Sequence, residues 1–260
     1  MFLAQLIVYP VKSCRGVSLP SRELEPAGLA GDRRYALSQG GAFISQRTHP
    51  RLSLVTTELS DAEILLGSPG MPPLSLPSAL VKGPRACVSI WRDLVETIEH
   101  TGGSRWFSEL LGEQVKLHFL EAERLRAVNP ARSRPGDRVG FADGYPLLLI
   151  GQASLDALNA RLEHPIPMSR FRPNLVISGG EAHAEDQLTT FRIGGVPFEN
   201  AKLCDRCVVT TVDESTGRPG KEPLKTLAAY RKWEGAVWFG TNCIHRSLGR
   251  LSVGDTVDFP

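Results

Sequence analysis

Short stretches of β-forming residues, separated by turns rich in glycine and proline, recur along the chain and constrain its fold most. In the first half, the stretches with strand character are residues 3–9, 35–38, 42–46 and 52–56, and Gly40-Gly41 is a hairpin signal between two of them. In the second half, they are residues 147–150, 174–178, 191–193, 196–203, 208–213, 236–239 and 256–259. Many short strands closed by tight turns favour a β-barrel.

Only three segments have clear helical character. Ser104 is a candidate N-cap for a helix over residues 105–111, and Ser154 for a helix over residues 155–162. Pro223 predicts the start of a third helix, because proline is favoured in the first helical turn. The sequence contains no glycine-rich phosphate loop of the Rossmann or Walker kind, which argues against a nucleotide enzyme.

The composition excludes several classes of function. The chain has 30 basic and 28 acidic residues, so it has no general attraction for nucleic acid or membrane surfaces. Its N-terminus lacks a basic segment and is interrupted by Pro10, which predicts a strand and not a signal peptide. No apolar run approaches the roughly 20 residues of a membrane span. Five scattered cysteines indicate a reducing compartment, and we expect a cytoplasmic protein.

The motif with the most specific chemistry is Cys204-Asp205-Arg206-Cys207, directly before the predicted strand at 208–213. A cationic neighbour favours the thiolate, the form that attacks electrophiles and binds soft metals. A structural zinc site usually needs a second ligand pair, and a thioredoxin-like dithiol precedes a helix. The motif alone therefore leaves a metal ligand, a redox pair and two structural thiols as open interpretations.

Basic side chains lie at the ends of other predicted strands. Lys12 and Ser13 follow the first strand, Arg33 precedes the second, and Arg172 lies just before the strand at 174–178. A single arginine of this kind is usually a surface salt bridge. Several together would suit a dianionic ligand, because each guanidinium offers a fork of donors to phosphate.

Six segments in order give the chain a family resemblance. The segments YPVKSCRGV, GDRRYAL, SRFRPNLVISG, CDRCVVTTVDESTG, KEPLKTL and FGTN resemble the MOSC proteins that bind molybdenum cofactor, including the mitochondrial amidoxime-reducing components and their bacterial counterparts. The resemblance runs from Leu6 to Val257. It implies a mainly β (α+β) fold of two packed β-barrel domains with a few short helices. We expect a MOSC N-terminal β-barrel domain at residues 1–120 and a MOSC domain at residues 121–260.

The resemblance also implies roles for individual residues. Cys207 matches the thiolate that ligates molybdenum, and Asp143 matches a carboxylate beside the open face of the metal, so these two are the expected catalytic residues. An aspartate before glycine is also an ordinary turn residue. The positions that match cofactor-binding residues are Lys12, Ser13, Arg33, Arg172, Asn174 and Arg206. Because these residues come from both halves, we expect the cofactor between the two domains.

The implied activity is reduction of N-hydroxylated compounds (amidoximes, hydroxylamines and N-hydroxylated bases) by an oxidoreductase that carries molybdenum cofactor, Mo-molybdopterin. The sequence has no C-x₄-C-x₂-C ferredoxin motif. We therefore expect a separate electron-donor protein, an iron–sulfur or haem carrier served by a flavin reductase. The alternatives are a sulfur carrier, a molybdenum-cofactor carrier without turnover, and a zinc or dithiol module.

Overall fold

Strands dominate the structure, a computed structural model that describes residues 1–60, 62–79 and 81–259, and the predicted mainly β fold is confirmed. The first strands are β1 (Phe2–Val8), β2 (Val17–Leu19), β3 (Ser21–Glu25), β4 (Gly28–Leu29), β5 (Tyr35–Gln39), β6 (Ala42–Phe43), β7 (Thr56–Leu59), β8 (Glu63–Gly67), β9 (Leu74–Pro77), β10 (Arg85–Ile90), β11 (Asp93–Glu99) and β12 (Lys116–Phe119). The remaining strands are β13 (Arg126–Ala127), β14 (Arg138–Val139), β15 (Leu147–Gly151), β16 (Leu175–Ser178), β17 (Thr190–Ile193), β18 (Val196–Asp205), β19 (Lys232–Trp233), β20 (Ala236–His245), β21 (Gly249–Ser252) and β22 (Val257–Asp258).

Helices are few and short. The α-helices are α1 (Thr101–Leu111), α2 (Gln152–Asn159) and α3 (Leu224–Tyr230), and the 3-10 helices are Pro50–Leu54, Ala122–Arg124, Pro130–Arg132, Met168–Phe171, Ala184–Gln187 and Val208–Thr211. The predicted helices are present, but α1 and α2 begin earlier than predicted. The His100 ring, and not Ser104, caps α1 by accepting a hydrogen bond from the Gly103 amide. Within the described ranges, no helix is long and apolar enough to cross a membrane.

Five strands of the first half close into a barrel in the order β10-β11-β12-β5-β6. The hairpin between β5 and β6 turns at Gly40-Gly41, as predicted, and both glycines have a positive φ that other residues rarely adopt. Leu37 on β5 pairs with Leu117 on β12, and both side chains are fully buried. Phe107 of α1 packs against this same apolar cluster.

The second sheet has nine strands and includes the first strand of the chain. Its order is β2-β1-β16-β15-β20-β18-β17-β22, and β19 pairs with β20. A bridge between Phe2 and Thr256 brings the end of the chain back beside β1. Smaller sheets, β21-β3-β4, β7-β8-β9 and β13-β14, complete the fold. The chain therefore starts in the second sheet, passes into the barrel and returns.

Two predicted strands are wrong. Residues 208–213 begin with the 3-10 helix Val208–Thr211, because the amide and hydroxyl of Thr210 both bond back to the Cys207 carbonyl and tighten the turn. Residues 52–56 lie mostly in the 3-10 helix Pro50–Leu54, which has proline in its first turn. The thiol motif consequently spans the end of β18 and leads into a helical turn, instead of preceding a strand.

A buried histidine inside the barrel couples stability to pH. The His118 ring lies between two hydroxyls, with Nε2 2.7 Å from Ser38 Oγ and Nδ1 2.9 Å from Thr97 Oγ1. Its side chain is fully buried. Burial lowers the pKa of His118 from 6.5 to about 4, because the charged ring loses its hydration.

Stability should fall as the pH drops from 7 to 4, and His118 should cause part of the fall. The unfolded chain binds the proton first, because its histidine pKa is higher, so the loss reaches about 3 kcal/mol near pH 4. His118→Gln can still bond both hydroxyls but cannot titrate, so urea unfolding at the two pH values should differ less than in the wild type. His164→Gln, whose side chain is 89% exposed in the wild type, should keep the wild-type difference. Equal pH dependence in both variants would contradict this role.

Candidate functional site

The backbone after β1 is bonded to two other segments that carry predicted site residues. The Arg33 amide donates to the Tyr9 carbonyl at 2.7 Å, and the Lys12 amide donates to the Tyr35 carbonyl at 2.8 Å. The Phe141 amide in turn donates to the Arg33 carbonyl at 3.0 Å. These bonds place the Lys12, Arg33 and 141–143 segments side by side.

Lys12 and Asp143 form an ion pair at this junction. Lys12 Nζ lies 2.6 Å from Asp143 Oδ1 and 2.7 Å from the Phe141 carbonyl oxygen. Lys12 is buried, whereas 56% of the Asp143 side chain is exposed. Burial lowers the pKa of Lys12. Desolvation alone would raise the pKa of Asp143, but the charge and hydrogen bond of Lys12, together with the charges of Arg47 and Arg33, hold that pKa below its usual range.

Arg47 connects this ion pair to Cys207. Its Nη2 atom lies 3.4 Å from the Cys207 sulfur and 3.6 Å from Asp143 Oδ2. Arg47 follows β6 of the barrel, whereas Cys207 follows β18 of the second sheet, so the guanidinium spans the two units. Arg47 was not predicted as a site residue, although it directly follows the predicted strand 42–46 and so lies at a strand end, as Arg33 and Arg172 do.

The two thiols of the motif face different surroundings. The Cys204 sulfur accepts a hydrogen bond from Arg206 Nη1 at 3.0 Å and packs against the apolar cluster of the second sheet. Burial raises the pKa of Cys204. The Cys207 sulfur instead contacts Arg47, which in turn lies 3.6 Å from Asp143 Oδ2. Cys207 is therefore the thiol that Arg47 links to the Lys12–Asp143 pair.

Asn174 holds Arg33 in place. The Asn174 Oδ1 atom accepts from Arg33 Nη1 at 3.0 Å, and its Nδ2 atom donates to the Ile7 carbonyl at 3.1 Å. Asp32 accepts from the same Arg33 nitrogen at 2.6 Å. Asn174 is 1% exposed, so its amide is engaged within the protein. Its geometry is that of a residue that positions Arg33.

The Tyr9 ring lies between two guanidinium groups. Arg33 Cζ is 4.6 Å and Arg172 Cζ is 4.4 Å from the ring centroid. Arg172 has φ 58°, a left-handed conformation that turns it out of the Met168–Phe171 helix just before Pro173. Its Nη1 and Nη2 atoms are buried and have no hydrogen-bond partner among the described residues. Burial accordingly lowers the pKa of Arg172.

Ser13 and Arg206 flank this arrangement. The Ser13 hydroxyl accepts from the Gln46 amide at 3.3 Å, and Ser13 has a positive φ of 75°. Arg206 Nη2 donates to the Phe171 carbonyl at 2.6 Å, while its buried Nε has no partner in the described part of the chain. Ser13 is thus linked to the segment that carries Arg47, and Arg206 to the residue before Arg172.

Six of the predicted residues, together with Arg47 and Tyr9, therefore form two adjoining groups, which Ser13 and Arg206 flank. One contains Lys12, Asp143, Arg47 and Cys207, and the other contains Tyr9, Arg33, Asn174 and Arg172. Cations outnumber carboxylates, and buried guanidinium nitrogens lack acceptors, so the site fits an anionic ligand. Among the described residues, no group of three His, Cys, Asp or Glu side chains has the arrangement of a metal site.

Comparison with known proteins shows which protein family the chain belongs to. The chain belongs to the MOSC family, because the model of the MOSC N-terminal beta barrel domain matches residues 1–114 and the model of the MOSC domain matches residues 136–258. The resemblance found in the sequence is confirmed.

Individual relatives are similar over nearly the whole chain. It is 34% identical to mitochondrial amidoxime reducing component 2 of Rattus norvegicus and 33% identical to mitochondrial amidoxime-reducing component 1 of Homo sapiens. Both alignments cover 98% of this chain and 82% of the relative. It is also 34% identical to molybdenum cofactor sulfurase of Oryza sativa subsp. japonica, over 92% of this chain and 32% of that protein.

Because the Nη1 and Nη2 atoms of Arg172 have no acceptor among the described residues, we expect Arg172 to lower the stability of the protein and to favour the binding of an anion. Arg172→Met removes a buried charge whose Nη1 and Nη2 atoms have no such acceptor, so the free energy of unfolding of the ligand-free protein should rise by about 1–3 kcal/mol. Added inorganic phosphate should raise the unfolding temperature of the wild type and leave that of Arg172→Met unchanged. Arg250→Met, at a site where the side chain is 62% exposed, should respond like the wild type. A destabilised Arg172→Met variant with a full phosphate response would assign Arg172 a structural role.

Proposed function

We propose that this protein is a molybdenum-cofactor-dependent oxidoreductase that reduces N-hydroxylated compounds such as amidoximes, hydroxylamines and N-hydroxylated bases. The observation that carries the proposal is the junction of Cys207 with Arg47, Asp143 and Lys12 beside buried guanidinium groups that lack acceptors. A thiol ligand and an anion-binding group lie next to each other there. A pterin dithiolene that carries a phosphate needs both.

The residues present fit that cofactor. Cys207 would ligate the metal, since a thiolate suits soft redox metals. Arg172 and Arg206 have buried nitrogens that lack acceptors, and phosphate oxygens would supply them. Lys12, Ser13 and Arg33 border the same space, and Asn174 holds Arg33. When bound, the cofactor supplies a metal that stores two electrons and accepts an oxygen atom.

Asp143 and Lys12 have complementary properties for handling protons. Removing the oxygen of an N-hydroxyl group consumes two electrons and two protons and releases water. The Asp143 carboxylate stays ionised and partly exposed, so it can accept the N-hydroxyl hydrogen bond and orient the substrate. Lys12 holds a proton 2.6 Å from that carboxylate, and burial lowers its pKa, which makes it a better acid than an ordinary lysine.

Electrons would come from a separate donor protein, an iron–sulfur or haem carrier served by a flavin reductase. The exposure of the site supports a separate donor. Asp143 and Val208, the residue after Cys207, are both exposed, so a partner protein can approach the proposed metal position. We place the reaction in the cytoplasm, on the cysteine pattern of the sequence.

A sulfur carrier or a cofactor carrier without turnover is the competing function. The relative named as a molybdenum cofactor sulfurase supports it, and Cys207 would then hold the transferred sulfur. This chain spans 32% of that relative but 82% of the two amidoxime-reducing components, which favours the reductase. A carrier would release its cofactor to other proteins and would reduce no N-hydroxylated compound.

The two cysteines provide a matched test of the metal ligand. Cys207→Ser should abolish benzamidoxime reduction by the holoprotein with an artificial electron donor, and should lower its molybdenum content, because the soft ligand is lost. Cys204→Ser should keep both within about twofold, because that sulfur faces Arg206 and the apolar cluster. Elemental analysis and the metal's absorption spectrum give the readout. Loss of activity and molybdenum in Cys204→Ser, but not in Cys207→Ser, would identify Cys204 as the metal ligand.

Asp143 can be tested by removing only its charge. Asp143→Asn should lower kcat by about a hundredfold, the usual scale for losing a proton-handling group, with little change in molybdenum content. The variant should also unfold at a lower temperature than the wild type, because the buried Lys12 ammonium group loses its counter-charge, so kcat is measured well below that temperature. A kcat within threefold of the wild type would leave Asp143 with only its role as the partner of Lys12.

A further inference from the structure

Trp91 occupies a backbone conformation that disfavours it. β10 and β11 form a hairpin in which Ile90 pairs with Asp93, so Trp91 and Arg92 alone make the turn. Trp91 has φ 56°, in the left-handed region where glycine or asparagine is usual in such turns. A bulky residue in this position costs stability, so its side chain needs another explanation.

Core packing does not explain the tryptophan. Trp91 is 53% exposed, and its ring is tilted by 60° against Phe43 at a centroid distance of 5.1 Å. Phe43 ends β6, only a few residues before Arg47. The two aromatic rings therefore form a surface on the barrel next to the segment that enters the candidate site.

Arg47 joins this aromatic surface to the site. Its Cζ atom lies 4.9 Å from the centroid of the Trp91 ring. The same guanidinium contacts the Cys207 sulfur at 3.4 Å and Asp143 Oδ2 at 3.6 Å. The indole is thus one side chain away from the residues proposed to bind the metal and orient the N-hydroxyl group.

We propose that Trp91, supported by Phe43, is the wall that binds the planar, conjugated body of the substrate. This inference rests on the proposed function, because it assumes that the N-hydroxyl group lies at Asp143. Flat π systems stack favourably on an indole, and small aliphatic hydroxylamines gain nothing from such a surface. The wall selects aryl amidoximes and N-hydroxylated heterocycles over aliphatic hydroxylamines. Arg47 lies between the wall and Cys207, where its donors meet the polar end of the substrate.

The test compares one planar and one aliphatic compound in binding and in turnover. Benzamidoxime and N-methylhydroxylamine are titrated by calorimetry into the oxidised holoprotein without an electron donor, so that no turnover occurs. In Trp91→Gly, the affinity for benzamidoxime relative to that for N-methylhydroxylamine should fall by about fivefold to tenfold. Trp91→Phe should restore most of the ratio. Leu94→Ala, on the same hairpin at a site 72% exposed, should keep the wild-type ratio.

Thermal unfolding and turnover separate the possible failures. Trp91→Gly should unfold at a temperature no lower than the wild type, because glycine relieves the left-handed conformation. An unchanged affinity ratio, or an equal loss for both compounds, would overturn the proposed wall. A wild-type protein that binds benzamidoxime but reduces neither compound with a donor would overturn the proposed function, while the affinity ratio would still test Trp91.

Discussion

The antiparallel pairing of β1 with β16 determines where every part of the candidate site lies. Leu6 pairs with Leu175 and both are fully buried, so the first strand is fixed in the sheet that the second half of the chain builds. The chain must then leave that sheet at Tyr9 to reach the barrel. Lys12 and Ser13 consequently lie on the crossing, with Asp143 on one side and the segment of Arg47 on the other.

The buried positive charges at this crossing lower the stability of the protein and favour the binding of an anion. Arg172 and Arg206 have buried nitrogens without acceptors among the described residues, which is an unfavourable arrangement in a protein with nothing bound. Arg33, Arg172 and Trp91 all have a positive φ, and this strained backbone conformation also costs stability. At the junction of the two units, these costs fall on the positively charged Arg33, Arg172 and Arg206. Charged groups in such an arrangement are typical of a site that is completed by its ligand.

Much of the fold followed from the sequence, and so did most of the site. The strand periodicity and the Gly40-Gly41 turn predicted the barrel hairpin, because these signals are local. The β-branched run after Cys207 wrongly predicted a strand, because the Thr210 hydroxyl donates a hydrogen bond to the Cys207 carbonyl and the segment forms a helical turn. Arg47 was missed because its partner, Cys207, lies 160 residues away, and a position after a predicted strand does not by itself reveal such a contact. Trp91 was not predicted as a site residue, because the feature that distinguishes it is its positive φ in a hairpin turn, which the sequence does not reveal.

The point at which β18 ends explains why two thiols only three residues apart differ. Cys204 is still within the strand, where pairing with β20 directs it toward Arg206 and the apolar cluster. The last pair of that ladder joins Asp205 and Trp238, and the chain then turns into the Val208–Thr211 helix with Cys207 at its cap. Cys207 is therefore held by a turn and not by the ladder. In the proposed function, Cys207 would bind the metal beside Arg47 and Asp143, whereas the Cys204 sulfur is engaged by Arg206 and the apolar cluster.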